Sequence, residues 1–166
     1  MTFRITAYCV VNAHNGTVLD QAIVAAGQPI WSSTYHGRQN QRWFFEPAFL
    51  PTVVWIQHVR TGWYVQYDPT AANGVVARNK LPAANNSRTQ LWFLEPRESD
   101  EGFVIRSLED DTKVLDLAAG SLTDGTPILA YTFHGGINQS WKFLNVDSDD
   151  NLPDPYSANH PYVPRF

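Results

Sequence analysis

Two aspartates are the strongest candidates for chemistry in this sequence, because each ends the same apolar triplet. Val-Leu-Asp occurs at residues 18–20 and again at residues 114–116, so Asp20 and Asp116 occupy equivalent places. A carboxylate can accept charge-assisted hydrogen bonds from two adjacent hydroxyl groups. Aromatic side chains follow both triplets, and an aromatic ring suits a C–H-rich ligand face. These residue types favour the binding of a hydroxyl-rich ligand.

A repeated Gln-x-Trp motif predicts the strands that hold these residues in place. The motif occurs at residues 41–43, 90–92 and 139–141, and the glutamines are 49 residues apart in both intervals (90 − 41 and 139 − 90). A fixed period of this size indicates a repeat architecture. Each copy opens a short apolar run that predicts a strand. We expect the three tryptophans to share one core, where burial of each contributes about 2–3 kcal/mol.

The repeat extends well beyond the motif. Residues 27–43 align without a gap onto residues 125–141, and Asn-Gly and Asp-Gly pairs predict tight hairpin turns at 73–74 and 124–125. Short strands at regular spacing predict an all-β fold, and three-fold repetition favours a closed one, since closure removes exposed strand edges. We place the repeats at about 3–47, 50–96 and 100–146, in a single domain over 1–147 with a proline-rich tail over 148–166.

Catalysis and metal binding find little support. No nucleophile elbow, phosphate loop or His-Glu-x-x-His motif occurs, and the five histidines show no metal-ligand spacing. A glycosidase requires paired carboxylates about 5–10 Å apart, whereas Asp20 and Asp116 belong to different repeats. We therefore expect no enzymatic activity, no catalytic residue, no metal and no cofactor.

Composition limits the remaining classes of partner and location. The net charge of the 166 residues is −4, with acidic and basic residues interspersed, which argues against a nucleic-acid-binding face. No apolar run approaches the roughly 18 residues of a membrane span, so we expect no membrane insertion. The first residues contain no long apolar segment typical of a signal peptide. These features predict a cytoplasmic or non-classically secreted protein.

The three Gln-x-Trp motifs, the Val-Leu-Asp triplets and the final Asn-Gln-x-Trp resemble the ricin B-chain-like lectin family. The pattern Gly-x-Pro-Ile followed by an aromatic residue, histidine and glycine resembles its fungal, mushroom-type members. The resemblance implies a β-trefoil with three pseudo-symmetric repeats of four strands, in which a six-stranded barrel is capped by three hairpins. It also implies one potential sugar site per repeat, where the aspartate accepts hydrogen bonds from two sugar hydroxyls, an aromatic ring stacks on the sugar and an asparagine completes the contact.

The resemblance thereby implies a lectin for galactose- or N-acetylgalactosamine-type glycans. Its expected sugar-binding residues are Asp116, Tyr131 or Phe133, His134, Gly135, Asn138 and Gln139 in the third repeat, and Asp20, Trp31 or Tyr35, His36, Asn40 and Gln41 in the first. The first repeat departs from the plan because Ser33 stands where the third has Tyr131. In the second repeat Gln66 replaces the aspartate and Thr89 the asparagine, so we expect no sugar site there. An alternative role for the aspartates, asparagines and histidines is to brace loops.

Two further interpretations stay open. The scaffold could serve a protease inhibitor whose exposed loop, residues 82–88, ends in Arg88 and fits a trypsin-type pocket. The aromatic tail could fold back over the body or reach a second copy and form a homodimer.

Overall fold

Twelve short strands build the molecule. The structure, a computed structural model, describes residues 6–21, 25–82, 87–99 and 102–146. The strands are β1 (Ala7–Asn12), β2 (Val18–Asp20), β3 (Trp31–Ser33), β4 (Trp43–Pro47), β5 (Val53–His58), β6 (Tyr64–Tyr67), β7 (Val75–Arg78), β8 (Trp92–Pro96), β9 (Phe103–Ser107), β10 (Lys113–Leu117), β11 (Thr126–Thr132) and β12 (Trp141–Asn145). Short 3-10 turns lie at Gln39–Gln41, Ser87–Gln90, Ala118–Gly120 and Ile137–Gln139. No helix among the described residues is long and apolar enough to cross a membrane.

Six of these strands close into a barrel. Strand β1 pairs with β4 and β12, β5 pairs with β4 and β8, and β9 pairs with β8 and β12, all antiparallel. The ring of pairings returns to its first strand, so none of the six is left with an open edge.

The other six strands form one hairpin per repeat, in corresponding register. Strands β2–β3, β6–β7 and β10–β11 pair so that Asp20 faces Trp31, Gln66 faces Val76 and Asp116 faces Leu129, as the backbone register of each hairpin shows. Strand β3 also pairs with β11. With the barrel, this arrangement is the β-trefoil that the family resemblance implies, and the all-β prediction from the repeats is confirmed.

The three tryptophans of the repeated motif occupy the centre of the core. Trp43, Trp92 and Trp141 are fully buried. Each indole Nε1 donates a hydrogen bond to a hairpin carbonyl of its own repeat, at 3.2 Å to Leu19, 2.9 Å to Val65 and 3.0 Å to Leu115. These carbonyls belong to the residues immediately before Asp20, Gln66 and Asp116. Each tryptophan therefore fixes the strand that carries the candidate carboxylate position.

A buried histidine also packs in this core. The His58 side chain is fully buried, its ring centroid lies 4.8 Å from that of Trp43, and its Nδ1 lies 2.9 Å from the hydroxyl oxygen of Thr61. Burial lowers the pKa of His58 below its usual 6.5, although the Asn40 backbone and the Asp20 carboxylate favour the charged form. The folded state therefore holds this imidazole neutral more strongly than the unfolded chain does.

We expect the protein to lose stability as the pH falls below about 6.5, because the unfolded chain then binds a proton at His58 that the folded state excludes. Urea unfolding between about pH 7 and pH 5 measures this dependence. A His58→Gln variant should show a flatter profile, whereas a His14→Gln variant, altered at an exposed histidine, should keep the wild-type slope. Equal slopes for the wild type and His58→Gln would contradict the assignment.

Candidate functional site

The third repeat carries an open cleft of about 660 Å³. Strands β10 and β11 form its floor, and the 3-10 turns at Ala118–Gly120 and Ile137–Gln139 lie at its sides. The residues that line it are His14, Asp116, Ala119, Gly120, Leu129, Tyr131, His134, Gly136, Ile137 and Asn138. Four of the residues predicted for this repeat therefore meet in one cavity, namely Asp116, Tyr131, His134 and Asn138.

Asp116 lies at the base of the cleft and is held by side-chain donors. Its Oδ1 accepts a hydrogen bond from Asn138 Nδ2 at 3.1 Å, and its Oδ2 accepts one from Gln139 Nε2 at 2.8 Å. His134 Nε2 lies 3.4 Å from the same Oδ2. Since each carboxylate oxygen has about two acceptor positions, Oδ1 keeps capacity for a further donor. The carboxylate is thus oriented while it still lines the cavity.

Burial raises the pKa of Asp116, even though Gln139, His134 and Asn138 all favour its charged form. Only 3% of the residue is exposed, so water stabilises the negative charge poorly. A hydrogen bond from a ligand hydroxyl would replace some of that missing solvation.

Tyr131 supplies the aromatic surface of the cleft. The residue is 52% exposed, and its ring meets the His134 ring edge to face, with centroids 6.2 Å apart. Phe133, the other aromatic predicted for this place, is not among the residues that line the cleft. Its ring lies instead under the Arg106 guanidinium, whose Cζ is 4.8 Å from the ring centroid. Alternation along a strand would place residues 131 and 133 on the same face, but β11 ends at Thr132 and Phe133 lies in the loop beyond it.

The loop that carries His134 is fixed by Gln139 and by Arg97. Gln139 Oε1 accepts a hydrogen bond from the His134 backbone N–H at 2.9 Å, and its Nε2 donates to Thr132 O at 3.0 Å. Two Arg97 nitrogens donate to the carbonyl oxygens of Gly135 and Gly136 at 3.0 and 3.1 Å. Gln139, which is fully buried, thus connects this loop to the Asp116 carboxylate.

Position 136 is crowded by the side chains of His134 and Asn138, which would have to shift to admit a larger residue. A Cβ on Gly136 would lie 2.5 Å from the His134 ring and 2.6 Å from Asn138 Oδ1, which is closer than such contacts occur. Gly135 has a positive φ of 78° and open space where a Cβ would point, so its contribution is the backbone turn.

The first repeat contains the same polar network. Asp20 Oδ1 accepts a hydrogen bond from Asn40 Nδ2 at 2.8 Å, and Oδ2 accepts one from Gln41 Nε2 at 3.0 Å. His36 Nε2 lies 3.7 Å from Oδ2. Gln41 Oε1 accepts the His36 backbone N–H at 2.8 Å. The structure therefore brings together four of the six residues predicted for this repeat.

The aromatic part of the first repeat differs. Trp31 is half-buried and occupies the register position of Leu129, and Ser33 occupies that of Tyr131. Tyr35 packs against the small core cluster around Cys9, so its ring is engaged with the body of the protein. The first repeat keeps the hydrogen-bonding half of the site without the exposed ring of the third.

The second repeat has neither part of the site. Gln66 Oε1 accepts a hydrogen bond from Gln90 Nε2 at 3.2 Å, where the other repeats have a carboxylate. Arg78 occupies the register position of Tyr131 and forms an ion pair with Asp68 at 2.9 Å. The second repeat thus lacks the carboxylate and the exposed ring, and its lack of a sugar site stays a prediction.

Sequence reasoning missed the contribution of the first repeat to the third-repeat cleft. His14, in the loop between β1 and β2, lines the cleft 102 positions before Asp116 (116 − 14). The loop is held in place by Asn12 Nδ2, which donates to Asn138 O at 3.0 Å, and by Asn15 Nδ2, which donates to Gly120 O at 3.0 Å. Nothing in the local sequence around His14 indicates this contact, because it depends on how the repeats close around the barrel.

The two open alternatives fall partly outside the described residues. Residues 83–86 of the proposed inhibitory loop and the tail from 147 onward lie outside them. Arg88 is described, and its Nη2 donates to Leu108 O at 2.9 Å. The inhibitor interpretation stays a prediction. Among the described residues, no group of three or more His, Cys, Asp or Glu could hold a metal ion.

Known proteins share both the sequence pattern and the fold. A family model described as ricin-type beta-trefoil lectin domain-like matches residues 39–131. The main hemagglutinin component type C of Clostridium botulinum C phage is 22% identical over 104 residues, a match that spans 52% of this chain and 36% of that protein. The Rhizoctonia solani agglutinin is 26% identical with a TM-score of 0.71, and covers 88% of this chain and 99% of its own. A Macrolepiota procera ricin B-like lectin in complex with lactose is 25% identical with a TM-score of 0.70 and the same coverage.

The paired glutamines allow a direct test of the network. Gln139 donates to a carboxylate, whereas the equally buried Gln90 donates to the neutral amide of Gln66. Hydrogen bonds to charged groups contribute roughly 1.5–3 kcal/mol and neutral ones roughly 0.5–1.5 kcal/mol. We expect Gln139→Ala to lower the free energy of unfolding by about 1 kcal/mol more than Gln90→Ala, as measured by urea denaturation. Equal losses would show that Asp116 does not depend on this donor.

Proposed function

Because the chain belongs to the ricin-type β-trefoil lectin domain-like family, we propose that it binds galactose- or N-acetylgalactosamine-type glycans, chiefly through the third repeat. The observation that carries this proposal is the pairing of an oriented, buried carboxylate, Asp116, with a half-exposed ring, Tyr131, in one open cleft. Neither group alone would recognise a sugar, but together they match its hydroxyl edge and its C–H face.

The roles of the third-repeat residues follow from their contacts. Asp116 accepts hydrogen bonds from two adjacent sugar hydroxyls, and Tyr131 packs on the apolar face of the ring. His134 lies beside both groups, with Nε2 3.4 Å from the carboxylate and its ring edge-on to Tyr131. Asn138 and Gln139 hold the carboxylate.

The preference for galactose-type sugars rests on the shape of the ligand and on a structural relative. Galactose-type rings present one C–H-rich face, which suits a single exposed ring such as Tyr131. The Macrolepiota procera lectin, 25% identical, was solved with lactose. This likeness and that to the Rhizoctonia solani agglutinin support a fungal-type lectin.

The first repeat is proposed as a weaker second site. Asp20, His36, Asn40 and Gln41 reproduce the polar network, but Ser33 replaces the stacking ring. Two sites on one chain would raise the avidity for a multivalent glycan surface without any new contact. The hemagglutinin relative is matched over 36% of its length. We therefore include agglutination by this chain in the proposal and do not take it from that relative as shown. In this function the protein binds and does not catalyse.

We expect the wild type to bind lactose with a Kd of about 0.1–1 mM, or roughly 4–5.5 kcal/mol, by calorimetric titration. Asp116→Asn should weaken binding at least about tenfold, because an amide offers one acceptor where the carboxylate offers two. Tyr131→Ser, which copies the serine of the first repeat on an exposed position, should do the same without loss of stability. Glu98→Gln, altered in an exposed turn outside the cleft lining, serves as control.

The proposal fails if the wild type binds no galactose-type glycan on an array, or if both Asp116→Asn and Tyr131→Ser bind as well as the wild type. Trypsin inhibition by the wild type, abolished by Arg88→Ala, would instead favour the inhibitor interpretation.

Binding should also depend on pH through Asp116. Since burial raises the pKa of this carboxyl above 3.8 and only the carboxylate accepts two hydroxyl hydrogens, we expect affinity to fall on acidification with a midpoint above 3.8. His134 opposes this increase in the pKa, so His134→Gln should move the midpoint to higher pH. Lactose titrations from about pH 7 to pH 4 measure both midpoints, and an affinity that is constant over this range would contradict the role of Asp116.

A further inference from the structure

A second cleft adjoins the third-repeat cleft on the other side of Tyr131. It has a volume of about 430 Å³. Its lining comes from Tyr67 and the β6–β7 turn of the second repeat and from Lys113, Leu129, Ala130 and Tyr131 of the third. Leu129 and Tyr131 line both cavities. Tyr131 therefore separates two neighbouring cavities. A ligand in the first cleft that extends over this ring reaches the second.

The second cleft is formed where two repeats meet, and its floor is closely packed. The Ala130 backbone N–H donates to Asn73 O at 2.9 Å, which joins the β6–β7 turn of the second repeat to β11 of the third. A Cβ on Gly74, whose φ is +69°, would lie 3.1 Å from the Ala130 Cβ and 3.2 Å from its carbonyl oxygen. The turn can approach the strand this closely only because residue 74 has no side chain.

The lining suits a sugar ring. Pro69, Ala71 and Ala72 are small and leave the cavity open. Lys113 Nζ donates to Thr132 Oγ1 at 3.0 Å, and an ammonium group has two further protons for ligand oxygens. The cleft thus combines a small apolar surface, the flank of an aromatic ring and a hydrogen-bond donor at its rim.

The charges near this cleft favour an uncharged ligand. Tyr67 and Pro69 also line a third cavity, to which Glu109, Asp110 and Asp111 contribute. Hydrogen bonds from Thr112 hold the pKa of Asp110 below its usual value, so this carboxylate is ionised at neutral pH. Arg88 also lines that cavity and pairs with Glu109 at 3.7 Å, so the carboxylates of Asp110 and Asp111 stand against the ammonium of Lys113 and disfavour an anionic sugar.

We propose that the cleft between the second and third repeats is a subsite for the neutral sugar that adjoins the residue held at Asp116, so that the protein recognises an oligosaccharide. This inference rests on the proposed function of the Asp116 cleft and extends it to a second sugar. The two clefts share Leu129 and Tyr131 as lining residues, so a glycosidic linkage over these two side chains would connect them.

Calorimetric titration with galactose and with a neutral galactose-terminated tetrasaccharide tests this subsite. The wild type should bind the tetrasaccharide at least about tenfold more tightly than galactose, which corresponds to about 1.4 kcal/mol. Ala72→Leu, which fills the second cleft, and Lys113→Ala, which removes its donor, should reduce the gain to about twofold or less and leave galactose binding unchanged. Lys142→Ala, on β12 and outside the lining of these clefts, should keep the full gain.

The outcomes separate the inference from the function on which it rests. Galactose binding without a gain for the tetrasaccharide, or a gain that survives both Ala72→Leu and Lys113→Ala, overturns the subsite and leaves the lectin proposal standing. Binding of neither ligand overturns both. An acidic analogue with a uronic acid next to galactose should bind less tightly than the neutral tetrasaccharide, and the reverse order would contradict the charge argument.

Discussion

One buried glutamine in each repeat holds the loop and the hairpin of that repeat together through its side-chain hydrogen bonds. In all three repeats the side-chain oxygen of this glutamine accepts a backbone N–H from the preceding loop. Its nitrogen donates to a backbone carbonyl and also to a side chain on the first hairpin strand, that of Asp20, Gln66 or Asp116. The tryptophan two residues later bonds to the same strand one residue earlier. The Gln-x-Trp motif is thus a hydrogen-bonded clamp that joins the loop, the hairpin and the barrel strand of its repeat.

This clamp tolerates loss of the carboxylate, which explains how the repeats diverge. In the second repeat Gln90 keeps its bonds to Leu81 N and Asn79 O while its partner is the neutral Gln66. A neutral partner avoids the cost of burying a charge. In the first and third repeats the buried charges are those of Asp20 and Asp116. At least two amide donors compensate each of them. Asp116 is such a buried carboxylate and lines an open cleft, and this combination supports the proposed sugar site.

Much of the fold could be predicted from the sequence because the frame is repeated and local. The spacing of Trp43, Trp92 and Trp141 predicted the shared core, and the aligned triplets predicted the equivalent places of Asp20 and Asp116. The sequence could not choose between Tyr131 and Phe133, since that depends on which ring the Arg106 guanidinium covers. It also missed the contact of His14, because the loop that brings it to the cleft follows from closure of the barrel and has no local signal.

The first and third repeats share the same polar network and differ in the aromatic residues and loop contacts around it. In the first repeat the residue corresponding to Phe133 is Tyr35, and it packs against the body of the protein, while the position of Tyr131 is a serine. In the third repeat Arg97 holds the loop backbone from outside, and the second repeat places Gly74 against Ala130. The third repeat is therefore contacted by both neighbours, by His14 of the first repeat at the Asp116 cleft and by the Gly74 turn of the second repeat at the adjoining cleft. Under the proposed function, selectivity for a sugar would arise at the junctions between repeats, where the pseudo-symmetry is broken, and not in the hydrogen-bonded frame that all three repeats share.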